Sequence, residues 1–113
     1  MVKIAYIPER GDMVWLSFGP TLGHEQAGRR PALILSSRDY NKKTDMAICC
    51  PITQSIKGYS FEVEILIFER KCVVLADQIR ALDLLERDCQ FIGKVLDMQL
   101  LEVQDKVNEL IKG

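Results

Sequence analysis

The chain has 113 residues, of which 48% are apolar, 27% charged and 7% aromatic, and its formal net charge is −1. This length predicts a single domain over residues 1–113, large enough to fold around its own core without disulfide bonds or a structural metal ion. The apolar fraction excludes a disordered chain, and no apolar run is long enough to span a bilayer. The first ten residues lack the apolar stretch of a secretory signal. We therefore expect a cytoplasmic protein with no membrane partner.

Charge is distributed unevenly along the chain. Residues 1–60 contain eight basic and five acidic residues, a net charge of +3, whereas residues 61–113 contain seven and eleven, a net charge of −4. A polyanionic partner would therefore meet the first part of the chain. The pI of about 5.8 argues against indiscriminate binding to nucleic acid.

The four cysteines lie at positions 49, 50, 72 and 89, with no C-x-x-C pair. Cys49 and Cys50 are adjacent and would point to opposite faces of a strand, which disfavours joint ligation of one metal ion. A zinc site could be assembled from Cys72, Cys89 and His24, but their spacing does not favour it. We expect reduced, half-buried cysteines and neither a metal nor another cofactor.

Short β-type runs occupy most of the chain. They cover residues 13–18, 31–36, 46–53, 61–65, 72–82 and, near the end, residues 90–93. Pro31 suits a strand start, where its missing N–H group costs least. Ser37 is expected to cap one or two helical turns over residues 38–43, and residues 69–71 look like a turn.

The hydrophobic period changes near the C-terminus. A helical stripe is formed by Leu100, Val103, Val107, Leu110 and Ile111. Asp97 is the predicted N-cap of this helix, and the stripe, like Trp15, is assigned to the core. Several short antiparallel strands followed by one amphipathic helix predict a mainly β fold: a small, strongly bent sheet or partly open barrel with the helix packed on it.

Polar residues concentrate in three segments, at residues 23–31, 51–59 and 75–78. The last one places Asp77 and Gln78 within an otherwise apolar strand. Polar groups that interrupt a strand either anchor loops or form a site, and the residues alone leave both interpretations open.

The order of several motifs resembles the MazF/PemK family of toxin endoribonucleases. The most specific is the G-x-E-Q-x-G-x-R-P block over residues 23–31; others are R-G-D-M-V-W at residues 10–15, P-I-T-Q-S-I-K-G-Y at residues 51–59 and L-A-D-Q at residues 75–78. The resemblance implies an SH3-like barrel of the CcdB/PemK type and a homodimer. It also implies ribosome-independent cleavage of single-stranded RNA at short sequences. Control by a MazE/PemI-like antitoxin with an acidic, flexible tail is expected.

The family's catalytic arginine and threonine match Arg30 and Thr53. The resemblance implies that the RNA 2′-hydroxyl is the nucleophile, so that no metal is required and the enzyme must mainly align the attack and stabilise charge on the phosphorane oxygens. A planar, always cationic arginine and a hydroxyl donor suit this chemistry. By residue type alone, Arg30 would be a surface cation and Thr53 a turn-capping hydroxyl; the motif favours the catalytic roles.

Proton transfer and RNA recognition involve further candidates. Glu25 could act as a base or position Arg30, and His24 could serve as an acid or a base, the usual catalytic roles of histidine. One branch of the family pairs a histidine here with an aspartate that matches Asp77, but it has an arginine where this chain has Leu75; Asp77 could instead anchor loop amides. The resemblance implies that Phe18, Thr21, Gln26, Lys57 and Gln78 line the substrate groove, and together with the basic Arg29 they are the predicted RNA-binding residues. A non-catalytic, CcdB-like gyrase-binding toxin and a plain SH3-like interaction module are the alternatives.

Overall fold

The computed structural model describes residues 6–17 and 28–113. Their elements, in chain order, are β1 (Asp12–Ser17), β2 (Arg29–Ile34), α1 (Arg38–Thr44), β3 (Met46–Thr53), β4 (Glu62–Ile67), β5 (Arg70–Leu75), β6 (Arg80–Asp83), β7 (Gln90–Lys94) and α2 (Asp97–Lys112). A 3₁₀ turn, Ala76–Gln78, joins β5 to β6. The predicted mainly β fold with a C-terminal helix is confirmed. Neither helix in the described part of the chain is long and apolar enough to cross a membrane.

Strand β3 organises the antiparallel sheet. One of its edges pairs with β2, and the other pairs first with β6 through residues 46–49 and then with β5 through Ile52 and Thr53. The 3₁₀ turn carries the chain from β5 to β6 between these two pairings. The strands follow the path β4-β5-β3-β2-β1-β7, with β6 off the path on β3. The sheet forms a half-barrel, and β4 and β7 are the strands at the two ends of this path.

The central strands bury both faces, and each face has its own core. Met13, Leu33 and Cys50 lie in the first core, while their neighbours Val14 and Cys49 lie in the second. This alternation follows from the two-residue period of a strand. The prediction that Cys49 and Cys50 point to opposite faces is thus confirmed.

Helix α2 covers the first core through Val103 and Val107, which are buried, and through Leu100. Leu110 and Ile111 are 50% and 72% exposed, so the prediction that the whole stripe is core was wrong at its end. The N-cap is Leu96, in extended conformation, rather than Asp97. The Gln99 Oε1 atom accepts a hydrogen bond from the Leu96 N–H group at 2.9 Å, which is the half of a capping box that the N3 side chain makes; the leucine side chain has no acceptor for the other half.

Two further boundaries differ from the predictions, and one agrees. Pro31 is the third residue of β2, but the pairing of β2 with β3 begins only at Ala32, so no ladder bond to β3 is lost. The turn predicted at residues 69–71 consists of Phe68 and Glu69, and Arg70 already pairs with Ile67. Ser37 caps α1 as predicted: its Oγ atom accepts a bond from the Tyr40 N–H group at 3.2 Å.

A buried carboxylate connects the start of β1 to β7. Asp12 is 1% exposed and accepts hydrogen bonds from the Tyr6 hydroxyl, from the Glu9 N–H group at 2.9 Å and from the Lys94 Nζ atom at 2.6 Å. Burying a carboxylate is costly unless its oxygens are paired, and these three donors satisfy it.

Candidate active site

Two grooves meet at Thr53, where β3 ends. The first groove has a volume of about 600 Å³ and is lined by Arg30 and Thr53 together with Trp15, Pro31, Ile52, Gln54, Ile67, Phe68, Arg70 and Cys72. The second has a volume of about 460 Å³ and is lined by Thr53 together with Ser55, Lys57, Tyr59, Phe61, Glu62, Leu75, Asp77 and Gln78. Thr53 is therefore shared by both grooves.

Strand register explains why Arg30 and Thr53 line the same groove. Ala32 pairs with Pro51 across β2 and β3. Arg30 and Thr53 each lie two residues beyond this last pair, Arg30 before it in β2 and Thr53 after it in β3, so both are at the same end of the two antiparallel strands. The side chain of Arg30 is exposed and that of Thr53 is half-buried. Two residues that lie 23 positions apart in the sequence are thus brought together at one end of the sheet.

The Thr53 hydroxyl is held by the backbone that follows it. Its Oγ1 atom accepts a hydrogen bond from the Ser55 N–H group at 3.0 Å. This is the local turn bond typical of threonine at a strand end. Because the oxygen serves as the acceptor in this bond, the hydroxyl proton remains for donation to a group in the groove.

The wall of the second groove is a loop built on Glu62. The Glu62 carboxylate accepts bonds from the N–H groups of Lys57, at 3.2 and 3.3 Å, and of Gly58, at 2.9 Å. Gly58 has a φ of +82°, which an L-residue rarely adopts, so glycine permits this turn. The Tyr59 ring stacks on Phe61 at a centroid distance of 5.1 Å. Tyr59 is thereby held at the surface with 56% of its area exposed.

The grooves differ in charge. Among the described residues that line it, the first groove contains two arginines, Arg30 and Arg70, and no carboxylate. The second contains Lys57 together with the carboxylates of Glu62 and Asp77. Phosphate groups are therefore favoured in the first groove, whereas the second offers mixed donors and acceptors of the kind that read base edges.

The structure locates only some of the predicted site residues. Phe18, Thr21, His24, Glu25 and Gln26 lie outside the described residues, and their roles stay predictions. Asp77 and Gln78 lie on the exposed 3₁₀ turn and not within a strand, as the sequence had suggested, and both line the second groove with Lys57.

Arg29 lies apart from both grooves. Its guanidinium is 3.7 Å from the Asp88 carboxylate, and it lines a small hollow with Gln90 and with Trp15, which also lines the first groove. Neighbouring residues of a strand point to opposite faces, so Arg29 and Arg30 diverge. The predicted role of Arg29 in RNA binding stays a prediction.

Comparison with known proteins assigns the family. Residues 9–111 match the family described as PemK-like, MazF-like toxin of type II toxin-antitoxin system. The chain is 44% identical over 106 residues to the endoribonuclease toxin MazF of Escherichia coli K12, covering 94% of this chain and 96% of that one. It belongs to the PemK/MazF toxin family.

Other members agree in sequence and in fold. Endoribonuclease EndoA of Bacillus subtilis is 32% identical, covering 94% of this chain and 92% of that one. The crystal structure of MazF from Deinococcus radiodurans superposes with a TM-score of 0.84 at 42% identity, covering 96% and 99% of the two chains. The MazE-MazF complex from the same organism gives a TM-score of 0.87 at 40% identity, covering 95% and 98%. The family match favours the endoribonuclease-toxin interpretation over the CcdB-like one.

The cysteines do not assemble a metal site within the described residues, where no group of three or more potential ligands was found. Cys72 lies in the first core, and Cys89 packs against the second, on the other face of the sheet. Burial raises the pKa of Cys49 to about 11 and those of Cys50 and Cys89 to about 12. These thiols therefore behave as small apolar groups.

Sequence reasoning missed several residues that line the grooves of this PemK/MazF chain. Trp15 had been assigned to the core, but it is only half-buried and lines the first groove. Phe68 had no assigned role, Arg70 had been placed in the turn predicted at residues 69–71, and Tyr59 was part of the motif at residues 51–59 without an assigned role. The exposed aromatic character of Phe68 and Tyr59, next to charged residues, was the available signal.

Proposed function

We propose that this protein is the toxin of a type II toxin–antitoxin system and a sequence-specific, ribosome-independent endoribonuclease that cuts single-stranded mRNA and so inhibits translation and growth. Arg30 and Thr53 form its catalytic pair. The observation that carries this proposal is that β2 and β3 bring these two side chains to the same groove, in a member of the PemK/MazF family.

The reaction is an intramolecular transesterification. The 2′-oxygen adjacent to the scissile phosphate forms a bond to phosphorus while the bond from phosphorus to the 5′-oxygen breaks. A proton leaves the 2′-hydroxyl, and another is delivered to the departing 5′-oxygen. The products are a 2′,3′-cyclic phosphate and a 5′-hydroxyl, and no water or metal-bound nucleophile is consumed.

Arg30 and Thr53 stabilise the charge that develops on the non-bridging oxygens. The guanidinium donates two parallel hydrogen bonds to the phosphate, and its cationic charge becomes more favourable as the phosphorane forms. The Thr53 hydroxyl, fixed by the Ser55 N–H group, donates a further bond. Both groups also hold the phosphate in line with the attacking oxygen.

The proton-transfer groups come from three candidates. Glu25 supports Arg30 or acts as the base, and His24 and Asp77 are the alternatives. Asp77 is exposed in the second groove, which it shares with Thr53, so a scissile phosphate at Thr53 would lie at the edge of the groove that contains this carboxylate.

The substrate follows from the site. A-form duplex geometry hides base edges and keeps the backbone from in-line attack, so the RNA must be single-stranded. Lys57 contacts phosphate, Gln78 reads a base edge, and Phe18, Thr21, Gln26 and Arg29 complete the RNA-binding set. The whole chain, residues 1–113, acts as one domain in the cytoplasm and assembles as a homodimer.

An antitoxin of MazE/PemI type holds the toxin inactive. Its tail is acidic and flexible and contains apolar side chains. The acidic groups match the arginines of the first groove, and the apolar side chains match its aromatic residues. The tail folds on this surface and occupies the region that RNA would bind.

The decisive experiment is incubation of the purified protein with unstructured RNA in EDTA, followed by mapping of the cut ends. We expect discrete cuts that carry 2′,3′-cyclic phosphates and that disappear both in Arg30→Ala and when a deoxyribose stands at the cut position. Cleavage of the deoxy substrate at the same position would indicate hydrolysis by activated water. Gyrase inhibition without RNA cleavage would favour the CcdB-like alternative.

A further inference from the structure

The turn between β4 and β5 exposes a large aromatic ring beside the catalytic pair. Phe68 is 74% exposed, yet it lines the same groove as Arg30 and Thr53. Its neighbour Leu66 is also exposed, at 59%, but does not line the groove. Phe68 is therefore an accessible ring in the wall of the proposed substrate groove.

The backbone of this turn is unfavourable for its residues. Phe68 and Glu69 have φ values of +50° and +67°, and they connect the paired residues Ile67 and Arg70. A two-residue hairpin with both φ values positive strongly prefers Asn-Gly. A phenylalanine in this conformation costs free energy and is poorly shielded from water, so folding alone does not explain it.

Arg70 makes the same wall cationic. It lies directly after the turn and lines the first groove, in which the described lining residues include no carboxylate. The next residue, Lys71, does not line the groove, and its Nζ atom is 3.6 Å from the Glu64 carboxylate. An aromatic ring combined with arginines is the composition of a surface that binds single-stranded nucleic acid.

We propose that Phe68 and Arg70 form a substrate subsite, in which Phe68 stacks on an unpaired base flanking the cleaved phosphate and Arg70 binds an adjacent phosphate. This proposal rests on the endoribonuclease function proposed above and extends it to the nucleotides that lie in the first groove. The RNA strand then crosses Thr53, with one flank on the Phe68 wall and the other in the groove of Lys57 and Gln78.

The test uses a fluorescein-labelled RNA with a deoxyribose at the mapped cut position, whose binding is followed by fluorescence anisotropy. Loss of one base–aromatic stack should raise the Kd of Phe68→Asn about ten-fold. Arg70→Gln should reduce the slope of log K against log salt by about 0.7. The matched controls, Leu66→Asn and Lys71→Gln, alter the same hairpin outside the groove and should stay within two-fold of wild type.

An abasic scan locates the stacked base. Replacing the base at one flanking position by an abasic site should weaken wild-type binding about ten-fold and leave the binding of Phe68→Asn unchanged. Because asparagine suits the turn, the urea midpoint of Phe68→Asn should equal or exceed that of the wild type, which separates lost binding from misfolding.

Two results would overturn the subsite. One is an identical abasic profile in wild type and Phe68→Asn, with Kd values within two-fold. The other is unchanged RNA binding combined with altered sedimentation of Phe68→Asn, which would make the hairpin a protein–protein interface. If the wild type neither cuts the all-ribose RNA nor binds the analogue, the endoribonuclease proposal itself fails, which is distinct from failure of the subsite alone.

Discussion

Replacing Thr53 by valine separates the catalytic role of its hydroxyl from its structural one. Valine preserves the branched shape in β3 and exchanges only the hydroxyl for a methyl group. That oxygen accepts one hydrogen bond, from the Ser55 N–H group at 3.0 Å. Ser55 is exposed, so water can replace the lost partner, and the free energy of unfolding should fall by about 0.5–1 kcal/mol.

The effect on catalysis should be much larger. A hydrogen bond aimed at charge that develops in the transition state is worth about 10²–10³ in rate, or roughly 3–4 kcal/mol. Thr53→Ser retains the hydroxyl and should recover most of this activity. The assay is single-turnover cleavage of a labelled oligonucleotide at saturating enzyme, with urea denaturation of the same preparations.

The result that would refute the reasoning is a Thr53→Val rate within about three-fold of wild type. Thr53 would then be only the turn-capping hydroxyl that its residue type suggests, and the charge on the phosphorane would be stabilised without it. A loss of more than about 3 kcal/mol in unfolding free energy would also contradict the argument, because it would mean that the turn bond is a major structural contact.

Four further outcomes are expected. Asp12→Ala should lower the free energy of unfolding by about 2–4 kcal/mol in urea titrations, since it removes a buried acceptor of three hydrogen bonds. The hydrogen bond with Asp12 raises the pKa of Lys94, and burial raises the pKa of Tyr6. The stabilisation that these two groups contribute should therefore be present in full just below pH about 10 and be lost as the pH rises through their folded-state pKa values. In urea titrations at several pH values, Lys94→Met and Tyr6→Phe should each show a shallower loss. Burial raises the pKa of Cys89 to about 12, so mass spectrometry should show little alkylation by iodoacetamide at pH 8 until urea is added; rapid labelling of the native protein would contradict this. Non-cleavable RNA should displace a fluorescent antitoxin from the complex, and Arg30→Ala should weaken both ligands; independent binding of the two would indicate control from a remote surface.

The sequence by itself determined the elements whose patterns are local. The alternation of residues 61–65 predicted β4, since one buried face imposes a two-residue period. The continuous apolar run of residues 46–53 predicted β3, which buries side chains on both of its faces. Ser37 predicted the start of α1 because capping depends on a bond within one turn. Motif order likewise predicted the family and named Arg30 and Thr53 as a pair.

Only the tertiary structure decided which side chains share a groove and which ones are buried. The composition of the two grooves depends on the β2–β3 register and on the switch of β3 from β6 to β5, which are contacts between residues distant in the chain. Arg29 and Arg30 look equivalent in sequence, but adjacent strand positions and the nearby Asp88 carboxylate separate them. Leu110 fits the helical stripe as well as Val107 does, yet it is exposed. Periodicity determines which face a side chain occupies, whereas burial depends on whether another element covers that face.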